Sequence, residues 1–201
     1  MKIERIIYLL CTVLSIGAAV IVAVTEIKEP ETKTPEEPIA MYGTIEYVEA
    51  TNMQEWETDA DFQAVDCSLD VGVQEFTYYL AYGYNIDFYL LMALMEQESM
   101  YEVDAISSTG DYGLMQINRC NHEWLSEELG ITDFLDPYQN IMAGTYEIHR
   151  LFEKYGDTNK VLMAYNLGEG GARKLWNQGI YETNYTRSIA EKYAAIEGGA
   201  E

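Results

Sequence analysis

Leu90-Leu91-Met92-Ala93-Leu94-Met95-Glu96-Gln97-Glu98-Ser99 decides how this chain is read. Leu91, Leu94, Met95 and Glu98 fall at the i, i+3, i+4, i+7 spacing of one helical face, so the segment predicts a helix with that face turned to the core. The face carries a carboxylate. Glu96 lies about 200° around the same helix from Glu98 and is expected to point to solvent. An ionised carboxyl on an apolar face is costly unless it is paired, protonated or used in chemistry. Glu98 is therefore a candidate functional residue. Apolar neighbours such as Leu94, Met95 and Met100 would raise its pKa towards the range a general acid needs near neutral pH.

Working outward, three further stretches stand in order behind Glu98-Ser99. The first is Ser107-Ser108-Thr109-Gly110-Asp111-Tyr112-Gly113-Leu114-Met115-Gln116-Ile117-Asn118. The second is Ala164-Tyr165-Asn166-Leu167-Gly168, and the third is Asn184-Tyr185-Thr186-Arg187-Ser188-Ile189. The set resembles the catalytic domain of the soluble-lytic-transglycosylase family, in the lysozyme-like superfamily. The family's pattern is a Glu-Ser pair, Ser-x-x-Gly-x-x-Gly-Leu-Met-Gln, Ala-Tyr-Asn-x-Gly and a late tyrosine, here Tyr185. The likeness runs over roughly residues 68 to 196.

The resemblance implies a mainly α, lysozyme-like α+β domain with a small β-hairpin beside a catalytic cleft. It implies peptidoglycan glycan strands as partner and no cofactor. Glu98 would cleave the β-1,4 bond from N-acetylmuramic acid to N-acetylglucosamine, first as acid, then as base, leaving a 1,6-anhydro product. Ser107 and Gln116 would bond sugar groups or hold the hairpin. Gly113 would let the ligand approach the backbone. Asn166 would meet the acetamido group or order the cleft floor, Tyr165 would pack at the site, and Tyr185 would orient Glu98.

Asp111 departs from the pattern, because the family often has a small residue there. The stretch around it also resembles the segment of animal lysozymes that carries a second catalytic carboxylate. A muramidase using Glu98 and Asp111 is thus an alternative, as is a glycan-binding module that lost activity. The plain reading of Asp111 is a turn residue bonding its own backbone.

Composition narrows the field. A formal charge of −22 over 201 residues, with only 12 Lys+Arg, speaks against nucleic acid and against tight adsorption to anionic surfaces. The 17 tyrosines suit sugar stacking, although each is first of all a half-buried packing residue. No metal site is expected: His122 and His149 stand alone in sequence.

The N-terminus reads differently. Residues 1–5 carry Lys2 and Arg5, and 6–24 form an uncharged run about as long as a bilayer is thick. An uncleaved transmembrane helix is expected, with residues 1–5 cytoplasmic and the C-terminal domain outside a cell membrane. A cleaved signal peptide, giving a secreted protein, is the competing reading. Residues 25–65, acidic and holding Pro30, Pro35 and Pro38, read as an extended tether, and 66–197 as the domain. Outside the cell, Cys67 and Cys120 could form a disulfide or remain buried thiols.

Capping signals set the expected helices. They begin at Ser68 or Asp70, Asp87, Asn121, Asp136-Pro137, Asp157 and about Thr183. Gly83, Gly130 and Gly156 end three of them, and Gly168 to Gly171 divide the region after Asp157 into two.

Overall fold

A computed structural model describes residues 62–199. The apolar run at 6–24 and most of the tether lie outside them. Among the described residues no helix is long and apolar enough to cross a membrane.

Six helices carry the domain: α1 Val71–Gly83, α2 Phe88–Ser99, α3 His122–Leu129, α4 Pro137–Tyr155, α5 Thr158–Trp176 and α6 Asn184–Glu197. Strands β1 Asp111–Tyr112 and β2 Ile117–Asn118 form an antiparallel hairpin between α2 and α3, pairing Asp111 with Asn118 and Tyr112 with Ile117. The caps follow the sequence. Asp70, Asp87, Asp136 and Asp157 each accept a backbone N–H of the first turn, and Thr183 closes a capping box with Thr186. Asn121 precedes α3 without capping it through its side chain, which is engaged elsewhere. The region after Asp157 divides as expected: α5 is broken at Gly168, where φ 64° and ψ 156° are not helical, so that two helical segments meet there at a kink.

The core is organised around α2. Leu91, Met92, Ala93, Leu94 and Met95 are all fully buried, so this helix is enclosed on nearly every side. Helix α6 packs along it, α4 pairs with α5, and α1 bridges α2 and α4. Leu114, Met115 and Ile117 bring the hairpin into the same core. Enclosing the whole of α2 fixes the position of whatever stands at its C-terminal end. Packing also begins before residue 66: the Phe62 ring meets Tyr78 at 5.5 Å and Phe88 at 6.0 Å, and Val65 N–H donates to Gln74 Oε1 at 2.8 Å. The domain therefore extends into the stretch assigned to the tether.

Candidate active site

Glu98 occupies the last turn of α2, which ends at Met100 in the left-handed conformation. Its neighbour Ser99 is buried and donates to the Met95 carbonyl at 3.1 Å and the Leu114 carbonyl at 2.9 Å. The second of these bonds ties the helix end to the loop of the hairpin. Glu98 itself opens onto a cleft of about 750 Å³. Burial pushes its carboxyl up to about 7, against the hydrogen bond from the Tyr185 hydroxyl, with the negative charge of Asp111 adding to the rise. At neutral pH the group is thus shared between acid and carboxylate, the condition for serving as both.

Asp111 lines the same cleft but is engaged by its own hairpin. Oδ2 accepts from Ser107 Oγ at 2.5 Å and from Thr109 Oγ1, and Oδ1 accepts from Asn118 Nδ2 at 2.5 Å. Burial alone would raise this carboxyl. The three hydrogen bonds outweigh it and hold the group below the ordinary carboxylate range. Gln116, at φ 48°, donates from Nε2 to the Gly113 carbonyl at 2.9 Å and the Ala105 carbonyl at 3.3 Å, holding a backbone shape that side chains seldom adopt.

Asn140 supports the loop from α4. It is fully buried; Oδ1 accepts from Met115 N–H at 2.8 Å, and Nδ2 donates to the carbonyls of Tyr112 at 2.7 Å and Phe134 at 2.8 Å. Backbone groups of Met115, Tyr112 and Phe134 are thus bound by one amide. Met115 packs onto Gly144 of α4, where a Cβ would stand 2.3 Å from its sulfur. The Tyr165 hydroxyl donates to the Met115 carbonyl at 2.7 Å.

The far wall of the cleft is a face of α4. Glu147, Arg150, Leu151 and Lys154 recur at helical spacing and all line it. Asn121 Nδ2 donates to Glu147 Oε1 at 3.0 Å, which is where the missing cap of α3 goes. Burial pushes the Glu147 carboxyl up to about 7 despite the nearby Arg150 charge.

Residues 77–186 match the family model described as "Transglycosylase SLT domain". The chain belongs to this family. The SLT domain relates it to the "Membrane-bound lytic murein transglycosylase F" of Yersinia enterocolitica, 39% identical over 101 residues, covering 45% of this chain and 20% of that protein. The transglycosylase of Enterobacteria phage PRD1 is 34% identical over 117 residues, or 58% of this chain and 41% of that one. This chain thus spans about a fifth of the length of the first and two fifths of the second. Among solved structures, the 70 kDa soluble lytic transglycosylase of Escherichia coli superposes with a TM-score of 0.54 at 22% identity, over 64% of this chain and 26% of that one. That likeness speaks for the fold, a helical domain with a hairpin at its cleft.

Within the SLT domain the expected residues divide in two. Glu98, Asp111, Gln116, Tyr165 and Asn166 meet at one cleft, and Tyr185 reaches Glu98 from α6. Asn166 is exposed there, and among the described residues its side chain makes no hydrogen bond. Ser107 holds Asp111, and so serves the hairpin. Gly113 is buried against Asn140, and a Cβ there would lie 2.4 Å from Asn140 Nδ2. Its φ of 71° adds a second reason for glycine.

Glu96 is likewise not a free surface group. It is half-buried and pairs with Lys192 of α6 at 2.8 Å. Of the two readings of Cys67 and Cys120, the structure has them as free thiols, Cys67 half-buried and Cys120 exposed. The Cys67 sulfur accepts from Gln74 Nε2 at 3.4 Å near the domain's start, while Cys120 lines the cleft. Among the described residues no group of three or more His, Cys, Asp or Glu is placed to hold a metal. His122 stacks on Phe134 at 3.7 Å between ring centres, and His149 packs on Tyr84.

Asn140 and Glu147 escaped the sequence reading. For Asn140 a signal exists: it is a polar residue directly before Ile141, on the face that Gly144 and Ile148 continue. Glu147 has none, being one acid among the 34 Asp+Glu of the chain.

Proposed function

We propose that this protein is a murein lytic transglycosylase with Glu98 as its single acid/base. The observation that carries the reading is the state of Glu98 and Asp111, two of the carboxyls that line the cleft. Glu98 is poised near neutrality by burial, whereas Asp111 is kept ionised and has both oxygens occupied by its hairpin. One group is available for proton transfer and the other is not.

The proposed course follows from that division. Protonated Glu98 gives its proton to the oxygen between N-acetylmuramic acid and N-acetylglucosamine, and the C1–O bond breaks. The substrate's own acetamido oxygen shields the positive charge that develops at C1. The muramyl 6-hydroxyl then attacks C1 and returns its proton to the Glu98 carboxylate. The bond from C1 to O6 closes the 1,6-anhydro ring and the enzyme regains its starting state. An attacking hydroxyl already on the sugar has a large effective molarity, so no residue need activate water. Tyr185 keeps the Glu98 carboxyl in one orientation through both transfers.

Location is part of the proposal. Residues 6–24 would anchor the chain in the cell membrane as a single pass, with the acidic segment after them carrying the domain towards the wall. The Yersinia relative is named membrane-bound.

Digestion of purified murein followed by mass spectrometry tests the reading. Soluble muropeptides with 1,6-anhydro ends are expected. Reducing ends would make the enzyme a hydrolase, and absence of soluble products at every pH would leave a glycan-binding module.

A further inference from the structure

Helix α6 runs antiparallel to α2 and reaches it with four side chains in order. At the end of α2 the Tyr185 hydroxyl donates to Glu98 Oε1. Ser188 Oγ then donates to Gln97 Oε1 at 2.6 Å, and Lys192 Nζ to Glu96 Oε1 at 2.8 Å. At the start of α2 the Tyr193 hydroxyl donates to Asp87 Oδ2 at 3.1 Å. We propose that Gln97 and Ser188 are a positioning pair for Glu98, whose hydrogen bond sets the register of α6 on α2 and so aims the Tyr185 hydroxyl at the carboxyl. The inference rests on the reading of Glu98 as the acid/base, and adds to it two residues that act only through Tyr185.

Apolar packing alone does not set that register. Of the 14 residues of α6, Ile189 is the one apolar side chain that is fully buried, while Tyr185, Tyr193 and Ile196 are only partly buried against the core. A single anchor holds a helix on its neighbour but leaves it free to turn and slide about that point, and precise complementarity is what removes such freedom. Directional hydrogen bonds supply the missing constraint.

The polar contacts are not equivalent. Lys192 and Glu96 are both partly open to solvent, and a long side chain in an ion pair of that kind adapts to many geometries. The Tyr193 hydroxyl is shared with Glu197 at 3.5 Å. Ser188 has one carbon between its backbone and its oxygen, so its bond to Gln97 has little slack. Position completes the argument. Gln97 directly precedes Glu98, and Ser188 stands three residues from Tyr185, on the same face of α6. A displacement of Ser188 is therefore a displacement of Tyr185. Neither Gln97 nor Ser188 lines the cleft, so the pair touches no substrate.

The full chain with carbon-13 in its glutamate carboxyls tests this by NMR titration, the Glu98 signal being identified by its loss in Glu98→Gln. Tyr185 from α6, Asp111 from the hairpin and Tyr165 from α5 are the titratable groups whose interaction with Glu98 is felt, and the variants at 97 and 188 alter none of them. A hydroxyl donated to a carboxyl favours its charged form, so a misplaced Tyr185 lets Glu98 titrate higher. Ser188→Ala and, from the other side, Gln97→Met should each raise the Glu98 titration, by less than Tyr185→Phe does. Ser188→Thr, which keeps the hydroxyl, should restore the wild-type value. In a Tyr185→Phe background Ser188→Ala should add no further rise. On murein, Ser188→Ala should lower kcat about fivefold, the net worth of one neutral hydrogen bond, with KM unchanged. An unmoved Glu98 titration in both Ser188→Ala and Gln97→Met, or an equal rise with and without Tyr185, would overturn the pair. The titration needs no turnover, so it is separate from the lytic reading: proteins that titrate as expected but release no 1,6-anhydro ends would refute that reading and leave the pair standing.

Discussion

The Tyr185 hydroxyl donates a hydrogen bond to Glu98 Oε1, joining residues 87 apart in sequence at a carboxyl that lines the cleft. The two come from helices packed along each other, α2 and α6, so the bond is fixed by the core rather than by a loop. Its sign matters. A hydroxyl donated to a carboxyl favours the charged form, so Tyr185 opposes the rise that burial imposes on Glu98.

Tyr185→Phe should therefore move Glu98 upward. The alkaline limb of the pH–rate profile, expected near pH 7 in the wild type because the first step needs the acid form, should shift to higher pH. Turnover at the optimum should fall about tenfold, because a carboxyl free to rotate meets the bond oxygen less often. A slower enzyme with an unmoved limb would mean that Tyr185 only packs. Rate profiles of the two proteins on the same murein decide it.

Glu98→Gln keeps the shape and removes the proton cycle, so activity should fall by about 10²–10⁴-fold. Stability should move the other way, but only in one range of pH. Folded Glu98 holds its proton to about 7, whereas the unfolded chain releases it near 4.5. Between those values the folded state binds the extra proton, so the stability of the wild type falls as pH rises through that window. The variant should gain nothing at pH 4 and about 1–2 kcal/mol at pH 8, a figure reduced from the full shift because the carboxyl opens onto solvent. Denaturant melts at both pH values test this. Glu96→Gln loses only its bond to Lys192 and should cost about 1 kcal/mol or less.

The helices and the hairpin were legible because their signals are local. Asp70, Asp87, Asp136 and Asp157 each cap the helix that follows, and the face through Leu91, Leu94 and Met95 is buried as its spacing requires. The Glu98–Tyr185 pair was legible only through the family likeness, since nothing in periodicity links residues so far apart. What stayed hidden was decided by tertiary partners. Spacing places Glu96 on an outer face, but α6 covers that face and supplies Lys192. Gly113 carries the mark of a special backbone position, yet its close neighbour is Asn140, a residue from another helix that spacing does not point to. The separation of Cys67 from Cys120 depends likewise on how α1 and the hairpin sit, which spacing does not encode.

Gly113→Ala should be among the most damaging small substitutions. The added Cβ meets Asn140 Nδ2 at 2.4 Å and the Phe134 carbonyl at 2.9 Å, at a φ where alanine is already strained. Neither neighbour can retreat cheaply, since Asn140 holds three backbone groups and the other atom is backbone. A loss of about 2–4 kcal/mol is expected in thermal or denaturant unfolding. Gly130→Ala, with nothing within 4 Å of the new Cβ, pays only for its positive φ and serves as the comparison. Equal losses in the two would mean that the Asn140 contact yields without cost.

Asp111 separates the transglycosylase from a hydrolase. A hydrolase needs a second carboxylate, about 5–5.5 Å from the acid for retention or 6.5–9.5 Å for inversion, to receive the cation or to activate water. Asp111 lines the cleft and its charge is felt at Glu98, so its position alone does not disqualify it. Under the proposed reading its bonding weighs against it as a base, because Ser107, Thr109 and Asn118 all donate to it and lower its basicity. Asp111→Asn should therefore keep most of its activity and still yield 1,6-anhydro ends. Some loss is expected through the hairpin, since an amide cannot accept from three donors as a carboxylate does. Removing the negative charge near Glu98 should also lower the Glu98 pKa and draw the alkaline limb of the rate profile to lower pH. Abolished activity in the variant, together with reducing ends from the wild type, would make Asp111 the second catalytic carboxylate and the protein a muramidase.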